Sequence, residues 1–223
     1  MKTIVFNEIN STNEFAKTVE DIGEDVLIVA KRQTAGKGTK GRSFSSEEGG
    51  IYLSHLRFSP DLAENAFYLT AGAAVAVVNT LEAFGIEGVI KWPNDVLAGG
   101  KKICGILAEN VIRDGAIYRS VVGIGLNVNN EISENLKDVA VSMKDIKGEK
   151  LSYESVLATL AYNLTLPVDM ERYREKSVVI GKELLIIKGD KVYHGAGEEI
   201  LPDGRLKLKS GEILSAAEVT LRI

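Results

Sequence analysis

The 223-residue sequence is poor in the residues that build disulfides and metal clusters. It has one cysteine, Cys104, and two histidines, His55 and His194, far apart. A single thiol excludes an intramolecular disulfide and fits a reducing cytoplasm. So few His and Cys residues cannot assemble a His/Cys metal cluster, so no metal site is expected. Long apolar runs are lacking too. The longest, Ala71 to Val78, falls far short of the roughly 20 residues of a membrane span. The opening MKTIVFNEI is too short an apolar run for a signal peptide. Positive charge is not in excess: 27 Lys and Arg face 31 Asp and Glu, a net charge of −4. That argues against nucleic-acid binding driven by bulk charge. There is no internal repeat and no low-complexity tract.

What is present reads as an ordered series of elements. Lys2 to Glu8 is a strand. Ser11-Thr12-Asn13-Glu14 is a capping box opening a helix to about Ile22. Asp25 to Arg32 and Gly50 to Phe58 are strands, the second stopped by Ser59-Pro60. A long apolar helix spans Leu62 to Phe84. Four strand-like pieces follow, Gly88 to Trp92, Asp95 to Ala98, Lys102 to Ile112 and Ala116 to Val128. Gly99-Gly100 and Asp114-Gly115 are hairpin turns between them. Leu151 to Leu166 is helical up to Pro167, and a short helix to about Lys176 follows. The tail is different: Leu184–Ile187, Lys191–Gly195, Glu198–Leu201, Arg205–Leu208 and Val219–Ile223 are short strands at tight spacing, as in a small barrel or sandwich. These signs predict an α+β chain with a mostly antiparallel sheet and flanking helices over 1–178, and a small β domain over 179–223.

The densest signal is KRQTAGKGTKGRSF, Lys31 to Phe44. Gly36 to Gly41 matches the dinucleotide fingerprint G-x-G-x-x-G, and Gly36 to Ser43 comes within one residue of a P-loop. Both motifs need a helix straight after the glycines, because its N-terminus holds the phosphate. Here a polar, turn-like stretch and then a strand follow. Asp61, at the distance of a Rossmann acid, sits in a loop after Pro60. Five basic residues and no acid lie between Val26 and Ser46. Glycines that allow positive φ let backbone N–H groups converge on an anion. The loop reads either as a cationic strap for a polyphosphate or acyl phosphate, or as a solvated charged hairpin. A nucleic-acid patch is disfavoured, since only Phe44 could stack.

A second constellation lies downstream. Lys91-Trp92-Pro93-Asn94-Asp95 ends a strand in a turn. Lys91 sits in an apolar strand, where a charge must be paired or reach solvent. Lys102-Ile103-Cys104-Gly105-Ile106-Leu107-Ala108-Glu109 and Gly123-Ile124-Gly125-Leu126-Asn127 each carry a strand-interior glycine, a mark of close approach.

Taken in order with Ser11-Thr12-Asn13 and Gln33, these motifs resemble the biotin–protein ligases. The resemblance spans 11 to 129 and extends to the tail. It implies the class II aminoacyl-tRNA synthetase/biotin ligase-like fold with a C-terminal SH3-like β-barrel. Met1 already begins the first catalytic strand, so a DNA-binding arm is not expected. The implied reaction activates biotin with ATP, aided by Mg2+, as biotinyl-5′-AMP. It then transfers biotin to a lysine of a biotin carboxyl carrier protein. The implied catalytic residues are Lys91, Lys37 and Arg42, with Lys91 reaching both the biotin carboxyl and the α-phosphate. Biotin falls to Ser11, Thr12, Asn13, Gln33, Gly36, Lys37, Gly38, Thr39, Lys91, Gly105 and Gly123. Gly105 and Gly123 would let strand backbone lie flat against it. ATP and the adenylate fall to Lys37, Lys40, Arg42, Lys91, Trp92, Asn94 and Asn127. Asp95 is either a helper of the acceptor amine or a turn residue. A homodimer and a cytoplasmic location are further implications.

The sequence also departs from the family's usual G-R-G-R-x-G-R-x-W. Lys37, Thr39 and Phe44 stand for the first arginine, the second arginine and the tryptophan. Lysine keeps charge without the planar fork, and threonine has no charge. A loosened grip on the intermediate is expected from Thr39, unless Lys40 compensates. Alternative readings are a lipoate or octanoate ligase or transferase on the same fold, a non-catalytic biotin-binding protein, and a nucleic-acid module.

Overall fold

The computed structural model describes residues 1–58, 61–62 and 66–222. β1 (Lys2–Ile9) leads through α1 (Thr12–Thr18) to β2 (Val26–Gln33), and the two strands are parallel. β3 (Ile51–Arg57) returns antiparallel to β2. After β4 (Asp61–Leu62) comes α2 (Ala66–Ala83), then β5 (Val89–Lys91), β6 (Asp95–Ala98), β7 (Lys101–Arg113) and β8 (Ala116–Leu126). These form a sheet of order β1-β2-β3-β8-β7-β6-β5, with β4 on β8. The sheet is therefore mixed and mostly antiparallel. Asp61, expected in a loop, and Leu62, expected to open the long helix, are strand instead. The expected stop at Ser59-Pro60 and the helix turn over 63–65 lie outside the described residues.

Burial explains the layering. In β2, Leu27 and Val29 join the large core under α2, while Val26 and Ile28 pack with Ala16 of α1. Both faces of this strand are covered, which is why it reads as an unbroken apolar run. Each such side chain contributes about 1.5–3 kcal/mol when fully buried, so the middle of the sheet is a firm floor for whatever α1 carries. By length and composition alone α2 could cross a membrane, but half of it is buried inside the protein, as in a core helix. Helix α1 ends at Thr18, short of Ile22. Its capping box is half made: Ser11 Oγ accepts from the Glu14 N–H at 3.4 Å, while the Glu14 carboxylate turns away to lysines.

Beyond the sheet lie α3 (Met143–Lys147), α4 (Tyr153–Asn163) and α5 (Met170–Glu175). The α3 helix was not predicted, although Ser142 and Asp145 close a full capping box. The tail forms β9 (Glu183–Lys188), β10 (Lys191–Ile200), β11 (Leu206–Leu208), β12 (Ile213–Leu214) and β13 (Val219–Arg222), an antiparallel sheet of order β12-β11-β10-β9-β13. The two strands expected between Lys191 and Leu201 are one, β10, whose pairing shifts between Gly197 and Glu199. A bulge bends a strand without ending it. The small sheet is tied back firmly. Trp92 Nε1 donates to the Gly204 carbonyl at 2.8 Å, and Arg174 Nε to Ile200 at 2.9 Å. Leu184, Ile186 and Ile200 share one core with α2.

Candidate active site

A cavity of about 150 Å³ opens beside α1, between its first turn, the end of β2, the glycine-rich loop and the middles of β7 and β8. Its inner wall is a buried hydrogen-bond network. Ser11, Thr12 and Asn13 are at most 5 % exposed, and Ser54 of β3 is fully buried beneath them. Ser54 Oγ lies 2.6 Å from Asn13 Oδ1 and 2.7 Å from Thr12 Oγ1. The amide oxygen cannot donate back, so the single Ser54 proton goes to Asn13. Asn13 Nδ2 donates to Glu109 Oε2 at 2.9 Å and weakly to the Leu107 carbonyl at 3.4 Å. Gln33 Oε1 accepts the Thr12 N–H at 2.8 Å, and Gln33 Nε2 donates to Ser46 Oγ at 2.9 Å.

The glycine-rich loop is a compact hairpin. Lys37 pairs with Ser43, and Phe44 N–H reaches the Gly36 carbonyl at 2.9 Å. Lys40 and Gly41, at φ 57° and 73°, form the turn. Both central positions of a type I′ turn need positive φ, so glycine at 41 is natural and lysine at 40 is strained. The loop's cations are engaged within the protein. Lys37 Nζ lies 2.8 Å from Glu14 Oε1, which Lys17 also meets at 2.7 Å. Hydrogen bonds from Lys17 and then Lys37 pull the Glu14 carboxyl down to about 2. Arg42 Nη2 donates to Thr39 Oγ1 at 3.0 Å, and Lys40 Nζ to the Val219 carbonyl of β13 at 2.8 Å.

Two wider clefts adjoin the cavity. One, of about 730 Å³, is lined by Phe44, Lys91, Asp95, Lys102, Asn127, Asn130 and the apolar residues Ile132, Leu136, Val139 and Ala140. The other, of about 610 Å³, lies between the loop, Lys91 to Asp95 and β13. Lys102 stands where the first cleft meets the small cavity and lines both. Its ammonium lies 2.6 Å from Asp95 Oδ1 and 5.7 Å from the Phe44 ring centre.

Of the residues singled out in the sequence, Ser11, Thr12, Asn13, Gln33, Lys37, Gly38, Thr39, Arg42, Asn94, Gly105 and Gly123 line the small cavity. Lys91 does not; it lines the two clefts beside it. Lys102, not Lys91, stands where the small cavity meets the wide cleft. A bulge between β6 and β7 explains why alternation misleads: Val96 faces Cys104, but Leu97 faces Lys102. Ile103 and Cys104 both enter the core, and Lys102 is re-aimed toward Gly105. Lys40 sits outside the small cavity, in the cleft by β13. Trp92 is 2 % exposed with its N–H committed to Gly204, so it is chiefly a core residue, set in the wall of the cleft by β13. Gly36 packs at the root of the loop, where a Cβ would sit 2.5 Å from the Phe44 carbonyl. Asn127 reaches the wide cleft; its Nδ2 donates to Val141 and its Oδ1 accepts from Asn130.

The space at the strand glycines is filled by protein side chains, not left bare. A Cβ on Gly123 would meet Asn13 Oδ1 at 2.3 Å, one on Gly105 would meet Lys102 and Phe44 at 3.0 Å, and one on Gly125 would meet the Phe44 ring at 2.4 Å. Sequence reasoning missed Ser54, Lys102 and Glu109 as parts of this site. The signals were a lone hydroxyl inside a buried strand and a lysine three residues before a strand glycine.

A mixed sheet with helices on both faces, a glycine-rich hairpin over one cavity and a small antiparallel sheet behind it make up the biotin-ligase-like α+β fold. The chain belongs to the biotin/lipoate A/B protein ligase family, whose model matches residues 5–127. It is 38% identical over 165 residues to the bifunctional ligase/repressor BirA of Bacillus subtilis, covering 69% of this chain and 50% of that protein. The chain thus spans about half the length of that relative. It is 30% identical to the biotin–[acetyl-CoA-carboxylase] ligase of Mycobacterium tuberculosis, covering 88% of this chain and 79% of the other. Among solved structures, the biotin protein ligase from Aquifex aeolicus in complex with biotin and ATP superposes with a TM-score of 0.80 at 29% identity. That match covers 99% of this chain and 98% of the other.

Proposed function

We propose that the protein is an ATP-dependent ligase that makes biotinyl-5′-AMP and transfers biotin to a lysine of a biotin carboxyl carrier protein. The observation that carries this reading is the donor and acceptor balance of the inner wall. Gln33 keeps one amide N–H beyond its bond to Ser46, and Ser11 keeps its hydroxyl proton after accepting from Glu14. Asn13 has both N–H groups committed and one lone pair left on Oδ1. Two donors and an acceptor match the carbonyl and ring N–H of a cyclic urea. An octanoyl or lipoyl chain offers neither, which disfavours those acyl groups.

In this reading biotin occupies the small cavity and the nucleoside the wide cleft beside it, with Asn127, Asn130 and Phe44 at its wall. A carboxylate oxygen of biotin attacks the α-phosphorus; the bond to the bridging oxygen breaks and pyrophosphate leaves. The acceptor amine then attacks the anhydride carbonyl, loses a proton, and AMP departs. Lys102, held by Asp95 between the two compartments, supplies the fixed positive charge where two anions must meet. Arg42 and Lys40 border the phosphate path, with Lys91 beside it. Among the described residues no three His, Cys, Asp or Glu side chains converge to hold a metal. Magnesium would be held chiefly by the phosphates of ATP, whose charge it would shield.

The division at 178/179, a cytoplasmic location and a homodimer belong to the same proposal. The division draws support from β9–β13 forming a sheet of their own. The test is ATP–pyrophosphate exchange with biotin, lipoate and octanoate in parallel. Exchange with biotin alone is expected. Exchange driven by lipoate or octanoate, or by none, contradicts the reading.

A further inference from the structure

Asparagine is ambiguous as a recognition element, because its amide can turn over and offer either an oxygen or an NH2 group. Here one side chain removes the ambiguity. Glu109, on β7, meets Asn13 Nδ2 through Oε2 at 2.9 Å. A carboxylate only accepts. With the amide reversed, two oxygens would face each other at that distance with no proton between them. On its other side Asn13 Oδ1 accepts from Ser54 at 2.6 Å. What Asn13 can still offer the cavity is one lone pair and no donor. Asn13 lines the cavity with Gly123 beside it, where a Cβ would approach Oδ1 to 2.3 Å.

We propose that Glu109 is a positioning residue: it holds Asn13 with its oxygen toward the ligand and so makes this wall selective for a ligand bearing a ring N–H. The inference rests on the biotin reading and extends it, since it names the group that imposes the polarity. Glu109 has a second partner, Lys17, whose ammonium meets Oε1 at 2.7 Å. The two oxygens therefore separate two roles. One forms an ion pair, and the other sets the amide's orientation.

The two roles can be told apart by substitution. Glu109→Gln keeps the size of the side chain but allows it to donate, so only the long 3.4 Å contact to the Leu107 carbonyl still holds the Asn13 amide against turning. The KM for biotin in pyrophosphate exchange should rise about tenfold while kcat stays within about twofold, the effect of losing one well-formed hydrogen bond to the ligand. Lys17→Met removes the ion pair and leaves the Asn13 contact, so its KM should stay within about twofold of wild type. The double variant Asn13→Asp/Glu109→Gln should recover biotin binding, because the new carboxylate at 13 can only accept, from the new amide at 109 and from Ser54. Thermal unfolding of each variant checks folding, and the double variant carries the test if the single one does not fold. An unchanged KM in Glu109→Gln, an equal rise in Lys17→Met, or a double variant that binds biotin no better than the single one would overturn the proposal. Those outcomes leave the biotin reading standing. Absence of biotin-dependent exchange in the wild type sinks both.

Discussion

The first turn of α1 and the glycine-rich loop line the same cavity but are held by different means. Thr12, Asn13 and Ser54 are at most 5 % exposed and are hydrogen-bonded to one another, to Gln33 and to Glu109. The Lys37 side chain is 51% exposed and the Glu14 carboxylate that grips it 44%. An unsatisfied buried polar group costs about 1–3 kcal/mol. An exposed ion pair contributes about 0–1 kcal/mol. The wall is therefore built before the ligand arrives, whereas the loop rests on contacts weak enough to exchange for a phosphate. On the proposed reading, recognition of biotin would belong to the first region and retention of the adenylate to the second.

Substitutions in the wall should have the larger effects. Gly123→Ala would drive a methyl group into Asn13 Oδ1. Biotin affinity measured by calorimetry should fall on the order of a hundredfold, as for two lost hydrogen bonds. Unchanged affinity would mean that the wall is not the recognition surface. Ser54→Ala leaves Asn13 Oδ1 without its buried donor. A loss of about 1–3 kcal/mol in unfolding free energy is expected, with biotin affinity down about tenfold.

In the loop the expected effects are smaller and of another kind. Thr39→Arg restores a charge and releases Arg42 from its bond to the Thr39 hydroxyl. Release of biotinyl-AMP should slow several-fold, on the scale of about 1 kcal/mol. Equal, slow release from both proteins would refute the link between Thr39 and retention. Glu14→Gln weakens the hold on Lys37 and should change the KM for ATP by about twofold. The pH dependence has a definite sign. The Glu14 carboxyl is lowered from 4.5 to about 2. Its ion pairs are fully formed above the ordinary carboxylate range and are lost only as pH falls toward 2. The ratio of exchange rates in wild type and Glu14→Gln should thus stay flat from about pH 6 to about pH 9. A ratio that drifts across that range would assign the latch to another group.

Much of this was legible in the sequence because local chemistry decides it. Ser11 caps α1 as its spacing predicts, and β2 and β3 fall where strands are expected, although β3, which reads as alternating, is buried on both faces. The glycine-rich loop precedes a strand and not a helix, which removes the dinucleotide reading. What was not legible depends on register. Lys91 and Lys102 are both lysines in apolar strands, and alternation alone puts Lys102 beside Cys104 in the core. The bulge opposite Leu97 reverses that, and no residue near it marks the place. A second irregularity, between Gly197 and Glu199, turned two expected strands into one. The partners of Asn13 were hidden for a different reason: Glu109 lies 96 residues away, and only the pairing of β7 with β8 brings it under α1.

Either Lys102 or Lys91 would stand between the proposed biotin and nucleotide compartments. Biotin-dependent pyrophosphate exchange should be compared in Lys102→Met and Lys91→Met at saturating ATP. Removing a preorganised charge at the reacting centre costs on the order of a hundredfold or more in rate. That loss is expected in Lys102→Met, with a clearly smaller one in Lys91→Met. The reverse order would contradict the placement of Lys102 at the centre of the reaction.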